Sequence, residues 1–117
     1  MKAVFVIFLS LLTPFYLLSL PSKIKTRIEQ LVRDNPNQLA YTEYARVAET
    51  LLGRAPCQML VFGVGKDSSL WVDLNKEGST YFLEDNPQWL SLIKGQIPNL
   101  KAYPVVYDRR EKSGKIF

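Results

Sequence analysis

The stretch from residue 59 to residue 84, MLVFGVGKDSSLWVDLNKEGSTYFLE, constrains the fold more than any other part of the chain. It begins with the apolar run MLVF, which is typical of a strand buried on both faces. Gly63 and Gly65 then allow a sharp turn and the close approach of a ligand to the backbone. Ser68 or Ser69 is a candidate cap for the helix that follows. We therefore predict a strand, a glycine turn, a helix and a second strand, which together make half of a Rossmann-like unit.

Glu84 ends the second predicted strand, residues 80–83, roughly 20 residues after the glycines, where such folds place the carboxylate that holds ribose hydroxyls. Two glycines alone favour a plain tight turn over a ligand loop, but Glu84 at this distance reverses that preference. The third glycine of the dinucleotide pattern is absent, since Lys66 and Asp67 follow the second. The pattern therefore fits an S-adenosylmethionine pocket at least as well as a dinucleotide pocket, because the former contains no pyrophosphate, and we take a methyl donor as the first hypothesis. A dinucleotide site is the alternative.

Composition limits the classes of function that are open to the chain. At 117 residues and 13.4 kDa, it has room for one small domain. The net charge is +4 and the basic residues are dispersed, which argues against a nucleic-acid partner. Cys57 is the single cysteine and there is no histidine, so we expect no intramolecular disulfide, no Cys/His metal site and no histidine-based catalysis. Cys57 is interpreted as a small buried residue before the strand.

Residues 3–20 form an uncharged apolar run, AVFVIFLSLLTPFYLLSL. Its length is at the short end of what crosses a bilayer as a helix. We predict that residues 1–21 are an uncleaved single-pass membrane anchor. A cleaved signal peptide, which would make the protein secreted, is the alternative, although no A-x-A-like site follows. Basic residues lie on both sides of the run and leave its orientation open.

Two helices are predicted between the apolar run and the first strand. Residues 22–37 contain a stalk or packing helix with Ser22 as its cap and apolar residues on one face. Thr42 opens a second helical pattern, which ends at Gly53. The globular domain is predicted to occupy residues 38–117.

A further helix and strand follow the acidic strand end. Asn86 is the predicted cap of this helix and Pro87 its first residue. Residues 102–107 form a third strand, which Pro104 places at a sheet edge. Short links between three strands and two helices predict a parallel sheet with right-handed crossovers. Counted from the strand at residues 59–62, the three strands are expected in the order 3-2-1, so that the strand at residues 80–83 lies in the middle.

Two motifs of the chain are much more specific than the glycine spacing: PCQMLVFGVGKDSSLW and GSTYFLEDNPQW, followed by PNLKAYPVVY. Over residues 38–108 the chain resembles the plant polysaccharide-biosynthesis family that includes glucuronoxylan 4-O-methyltransferases and the irregular-xylem proteins. The resemblance implies a Rossmann-like domain that transfers a methyl group from S-adenosylmethionine to glucuronic acid side chains of xylan. It also implies an N-terminal membrane anchor and a Golgi location.

The resemblance further implies roles for individual residues. Those implied to line the donor pocket lie in the glycine loop and the start of the next helix: Gly63, Gly65, Asp67 and Ser68. Glu84 is implied to bind the ribose of the donor. Lys66 departs from the family, in which histidine is expected at this position. The resemblance identifies no catalytic base in this chain.

Family members extend roughly a hundred residues further, so the expected fold is a truncated Rossmann-like methyltransferase fold preceded by a membrane helix. The strand at residues 59–62 would lack the neighbour that a fourth strand supplies. We expect the part of the chain from residue 22 onward to self-associate through this edge or to be marginally stable as a monomer. Two functions stay open: a methyltransferase-like enzyme acting on glucuronoxylan, and a non-catalytic, membrane-anchored binding or scaffold protein.

Overall fold

The computed structural model describes residues 5–8 and 20–107 and arranges them around one four-stranded sheet in the order β1-β2-β3-β4. The elements in chain order are β1 (Phe5–Phe8), α1 (Ser22–Asp34), α2 (Tyr41–Arg54), β2 (Gln58–Phe62), α3 (Ser68–Leu74), β3 (Ser79–Glu84), α4 (Pro87–Gln96) and β4 (Ala102–Pro104). The succession of elements predicted for residues 22–107 is confirmed.

Strands β2, β3 and β4 form the parallel part of the sheet. Met59 lies opposite Thr80 in the β2–β3 pair, and Phe82 lies opposite Ala102 in the β3–β4 pair. The predicted order of three parallel strands with β3 in the middle is therefore confirmed. The last strand is shorter than predicted and ends at Pro104, whose missing N–H interrupts a ladder.

The edge of β2 that faces away from β3 is occupied by β1, which pairs with it in the antiparallel direction. The register is Phe5↔Phe62, Val6↔Val61, Ile7↔Leu60 and Phe8↔Met59. The prediction of an open edge at residues 59–62 is wrong, because four residues of the N-terminal apolar run supply the second ladder of backbone hydrogen bonds.

The same pairing corrects the predicted membrane helix at residues 5–8, which are a strand. Extended backbone at this position gains inter-strand hydrogen bonds in place of those within a helix. The rest of the predicted segment up to residue 19 lies outside the described residues. Within residues 20–107, every helix is too short or too polar to cross a membrane.

The hydrophobic core lies between the sheet and its helices. Helix α1 packs on α2 and α2 on α3, while α4 packs on β3 and β4. The most deeply buried large side chains come from four different elements: Ile28, Leu51, Trp71 and Phe82. Full burial of a side chain of this size stabilises the fold by about 1.5–3 kcal/mol, so these contacts hold the helices on the sheet.

The helix starts agree only partly with the predicted caps. Asn86 caps α4 as predicted: its Oδ1 accepts a hydrogen bond from the Trp89 amide at 2.9 Å, and Pro87 is the first helical residue. The predicted cap of α1 is wrong. Ser22 is already the first helical residue, and the preceding Pro21 makes no side-chain cap.

Asn75 joins the amino-terminal ends of β2 and β3. Its side chain is buried; Oδ1 accepts a hydrogen bond from the Cys57 amide at 3.0 Å, and Nδ2 donates to the Cys57 carbonyl at 2.9 Å. Nδ2 also lies 3.0 Å from the Thr80 hydroxyl. The amide thus satisfies backbone groups at the point where β2 begins. The predicted burial of Cys57 is confirmed.

Candidate functional site

The candidate site lies at the carboxyl edge of the parallel strands, where the chain leaves β2. Gly63 has φ 106°, in a region that residues with a side chain rarely adopt. Its amide donates a hydrogen bond of 2.6 Å to the Leu83 carbonyl. This bond continues the β2–β3 ladder by one residue, and the loop begins at the positive φ of Gly63.

Glu84 holds the loop from the end of β3. It is only 1% exposed; Oε1 accepts a hydrogen bond from the Val64 amide at 3.0 Å and Oε2 accepts one from the Asn86 amide at 2.9 Å. On the other side, Trp89 Nε1 donates to the Val64 carbonyl at 2.6 Å. Both backbone groups of Val64 are thus bonded to side chains, which orients the loop between β3 and α4.

Gly65 and Ser68 close the second half of the loop. The Gly65 amide donates to Ser68 Oγ at 2.9 Å. A Cβ atom on Gly65 would lie 2.9 Å from Asp67 Oδ1, closer than real side chains allow. The prediction that Ser68 or Ser69 caps α3 is wrong, because Asp67 occupies the cap position and the Ser68 hydroxyl is directed to the loop.

Asp67 and Trp71 are linked within one turn of α3. Trp71 Nε1 donates to Asp67 Oδ2 at 2.9 Å, and both side chains are buried. Burial raises the pKa of the Asp67 carboxyl, and the hydrogen bond from Trp71 opposes this rise. A negative charge on the Asp67 carboxyl is therefore less favourable in this buried position than it would be at the protein surface.

Tyr44, from α2, completes this buried cluster. Its ring centroid lies 6.4 Å from that of Trp71. Burial, and next the nearby Asp67 carboxylate, raise the pKa of the Tyr44 hydroxyl, while a hydrogen bond with the Leu39 backbone lowers it. Tyr44 therefore connects the link between α1 and α2 (the α1–α2 link, residues 35–40) to the start of α3. With an exposed fraction of 3%, Tyr44 is part of the hydrophobic core.

A small cavity of about 40 Å³ lies between the α1–α2 link and the glycine loop. Its walls come from the link, α2, the loop and α4: Asn35, Gln38, Leu39, Tyr44, Val64, Gly65, Lys66, Asp67 and Trp89. This volume holds one or two water molecules, whereas sites for drug-sized ligands measure about 300–1,000 Å³. The α1–α2 link therefore forms one wall of the cavity, opposite the glycine loop.

The structure brings the predicted site residues together but gives them different surroundings. Gly65 and Asp67 line the cavity, whereas Ser68 and Glu84 bond to the loop backbone. Their roles toward a ligand stay predictions. Lys66 Nζ lies 2.7 Å from Gln96 Oε1.

Sequence reasoning missed three contributions to this site: the Val64 backbone, the α1–α2 link and the Trp89 side chain. The position of Trp89 in the motif FLEDNPQW was the available signal for its role. The link carries no motif that marks it.

Three parallel strands with a glycine loop and a buried acid at the same edge are consistent with a Rossmann-like α/β protein. The family described as IRX15/IRX15L/GXM matches residues 42–115. The chain belongs to this family, and the resemblance described above is confirmed.

Three relatives from Arabidopsis thaliana show what the chain is similar to. Glucuronoxylan 4-O-methyltransferase 2 is 35% identical over 101 residues, which cover 86% of this chain and 35% of the relative. Glucuronoxylan 4-O-methyltransferase 3 is 39% identical over 75 residues, 64% of this chain and 25% of the relative. Arabinogalactan O-methyltransferase 2 is 33% identical over 87 residues, which cover 74% of this chain and 30% of the relative. The chain thus spans about a third or less of these relatives, and no solved structure matches it.

Proposed function

We propose that this chain forms the donor-binding part of an O-methyltransferase of cell-wall polysaccharides, with S-adenosylmethionine as the donor and glucuronoxylan as the acceptor. Relatives named as glucuronoxylan and arabinogalactan O-methyltransferases support the reaction class. The observation that carries the proposal is the 3.0 Å hydrogen bond between Glu84 and Val64. It joins the acidic strand end to the glycine loop at the edge where such folds bind nucleosides.

The residues at this edge fit the donor in their chemistry. A carboxylate oxygen accepts hydrogen bonds from hydroxyl groups as well as from amides, so Glu84, at the end of β3, has the chemistry that a ribose requires. Gly65 has no side chain between its backbone and the cavity. The cavity of about 40 Å³ is smaller than a nucleoside, so donor binding requires it to widen.

The proposed contribution of this chain to the reaction is binding and orientation. S-Adenosylmethionine, when bound, supplies a methyl group on a sulfonium sulfur. Glu84 holds the ribose, and the loop around Gly63 and Gly65 admits the donor close to the backbone. Holding the donor in one orientation relative to a sugar hydroxyl lowers the entropic part of the barrier.

Isothermal titration of the full chain with S-adenosylhomocysteine and with NAD tests the assignment of the pocket. We expect binding of S-adenosylhomocysteine and none of NAD. Tight NAD binding without binding of S-adenosylhomocysteine would instead support the dinucleotide alternative.

A second experiment separates an enzyme from a binding or scaffold protein. Labelled methyl transfer to de-esterified glucuronoxylan is measured with the chain alone, and arabinogalactan serves as the competing acceptor. Turnover above background supports the enzyme and excludes the scaffold function. Binding of S-adenosylhomocysteine without any turnover supports a non-catalytic protein that keeps the donor pocket.

We also propose a single-pass membrane location in the Golgi, with the globular part in the lumen. The apolar run at residues 3–20 and the family support this proposal. Protease treatment of sealed microsomes that carry a C-terminally tagged chain tests it. A protected tag supports the lumenal location, a digested tag places the domain in the cytosol, and a cleaved N-terminus indicates secretion.

A further inference from the structure

Asp67 is a buried acid on the wall of the cavity beside the glycine loop. Its side chain is 8% exposed. Oδ2 accepts the hydrogen bond from Trp71 Nε1, and Oδ1 lies on the side of Gly65, another residue of the cavity wall. We propose that Asp67 is the counter-charge for the positively charged end of the donor, so that this cavity is a site for an organic cation. The inference rests on the proposed function and adds the charge that the pocket recognises.

The charge of Asp67 is not balanced by the groups that bond to it. Within residues 20–107, the donors to its carboxyl are the Trp71 indole and its own backbone amide, and both are neutral. A buried ion without a partner of opposite charge is unfavourable, and burial accordingly raises the pKa of this carboxyl. A cation in the cavity would favour the ionised form again.

The other charged residues around the loop do not supply that cation. Among the described residues that line the cavity, Lys66 is the only basic one. Its Nζ lies 2.7 Å from Gln96 Oε1 in an exposed contact, so its charge is directed to α4 rather than to Asp67. Glu84 adds a second buried carboxylate to the same loop. These surroundings favour a positive ligand group over a negative one.

The cavity also has the size and the walls that suit a small cation. Its volume of about 40 Å³ is that of about one or two water molecules, and an ammonium group or the methyl group of a sulfonium is of similar size. Tyr44 and Trp89 contribute aromatic side chains to its wall, and aromatic rings attract organic cations. The charged end of the donor therefore fits the cavity as it stands, whereas the nucleoside requires it to widen.

Three ligands that differ in charge test the inference. S-Adenosylmethionine carries a sulfonium and an ammonium group, S-adenosylhomocysteine carries the ammonium group beside a neutral sulfur, and 5′-methylthioadenosine carries neither. Affinities are measured by titration calorimetry on the full chain at about pH 8, well above the ordinary carboxyl pKa.

The test variant is Asp67→Asn, which removes the charge and keeps an oxygen for the Trp71 indole. Asp73→Asn is the matched control, because Asp73 lies on the same helix but pairs with Arg27 at the surface, at 2.8 Å. Circular dichroism shows whether each variant is folded. A measurement on the unchanged chain accompanies them: the resonance of the Trp71 indole N–H, which is bonded to Asp67, is followed by NMR during addition of each ligand.

We expect Asp67→Asn to weaken binding of S-adenosylmethionine by about tenfold or more, and to change that of 5′-methylthioadenosine by less than about twofold. Asp73→Asn should change each affinity by less than about twofold. An equal loss for S-adenosylhomocysteine would assign the ammonium group to Asp67, and a loss confined to S-adenosylmethionine would assign the sulfonium. In the unchanged chain, S-adenosylmethionine should shift the Trp71 resonance more than 5′-methylthioadenosine does.

The results that overturn the inference separate it from the proposed function. Binding of the ligands with no loss in Asp67→Asn, with the same loss for all three, or with no shift of the Trp71 resonance would overturn the role of Asp67 and leave the donor pocket standing. Binding of none of the three ligands to the unchanged chain would overturn the proposed function, and this inference with it.

Discussion

The Glu84 carboxylate accepts a hydrogen bond of 3.0 Å from the amide of Val64, a residue twenty positions earlier in the chain. This bond joins the end of β3 to the loop that follows β2, and Trp89 holds the same residue from α4. The acid predicted to bind a ribose therefore also orients the loop that would contact the rest of the donor. A substitution of Glu84 is therefore expected to change both the binding of the ribose and the orientation of the loop.

Replacing Glu84 with alanine should weaken binding of S-adenosylhomocysteine by about 1–3 kcal/mol, the cost of leaving polar ligand groups unpaired. It should also lower the free energy of unfolding by about 1–3 kcal/mol, because the buried Val64 amide loses its acceptor. Titration calorimetry at a temperature where the variant is folded separates the two effects. Glu84→Gln keeps the shape and one oxygen, and is the matched control. Unchanged affinity in Glu84→Ala would mean that Glu84 does not touch the ribose.

Asn75→Ala should destabilise the fold without acting on the candidate site. The substitution leaves the Cys57 amide and carbonyl without the Asn75 side chain, and we expect a loss of about 1–3 kcal/mol in the free energy of unfolding. Urea unfolding followed by tryptophan fluorescence measures it. Gln30→Ala is the control, because that amide makes an exposed contact with Asp34; its effect should stay within about 0.5 kcal/mol. Equal effects of the two substitutions would contradict the bridging role of Asn75.

Gly65→Ala should disturb the loop, because the new Cβ would lie 2.9 Å from Asp67 Oδ1. The carboxylate is tied to Trp71 and has little room to move, so we expect a destabilisation of about 1–3 kcal/mol. Gly95→Ala is the control: it lies in α4 with nothing within 4 Å of its added Cβ, and should stabilise the protein by about 0.5–1 kcal/mol. Thermal unfolding of both variants checks the opposite signs. A neutral Gly65→Ala would show that the contact relaxes without cost.

Asp67 should make stability depend on pH. Burial raises the pKa of its carboxyl in the folded protein, so the folded state keeps the proton at pH values where the unfolded chain has lost it. The contribution to the free energy of unfolding is therefore fully present below the ordinary carboxyl pKa and falls as pH rises through the raised value. Asp67→Asn should remove this part of the pH dependence while keeping an oxygen for Trp71. Urea unfolding at a series of pH values from about 4 to 8 measures the slope, and an identical slope in the variant would contradict the assignment.

Removal of residues 1–20 should open the β2 edge that β1 covers. The shortened chain is expected to sediment as a dimer or larger species, because an uncovered apolar strand edge pairs with other strands. Leu60→Lys in the shortened chain should restore the monomer, since a charge at the edge opposes pairing. The full chain in lipid-free buffer is the reference and should be monomeric. A shortened chain that sediments as a monomer would show that the edge does not require β1.

Local patterns allowed much of the fold to be predicted. The apolar runs and the acid at the end of β3, together with the Asn86 cap and Pro87 at the start of α4, are encoded within a few residues. The parallel order follows from short connections between alternating strands and helices. The cap of α3 was mispredicted because the Ser68 hydroxyl accepts a hydrogen bond from the Gly65 amide instead, an alternative open to a serine near a loop.

By itself, the sequence determined the succession of elements, the parallel arrangement of three strands, the glycine loop and the acid at the same edge, because these depend on turn chemistry and hydrophobic period. Only the tertiary structure decided what occupies the free side of β2, how Asn75 joins two strand ends, and that Glu84 and Trp89 hold Val64 from two sides. It also decided that residues of the α1–α2 link line the cavity beside the loop. These features join residues far apart in the chain, and no local pattern specifies which distant segment satisfies an open strand edge or a buried polar group.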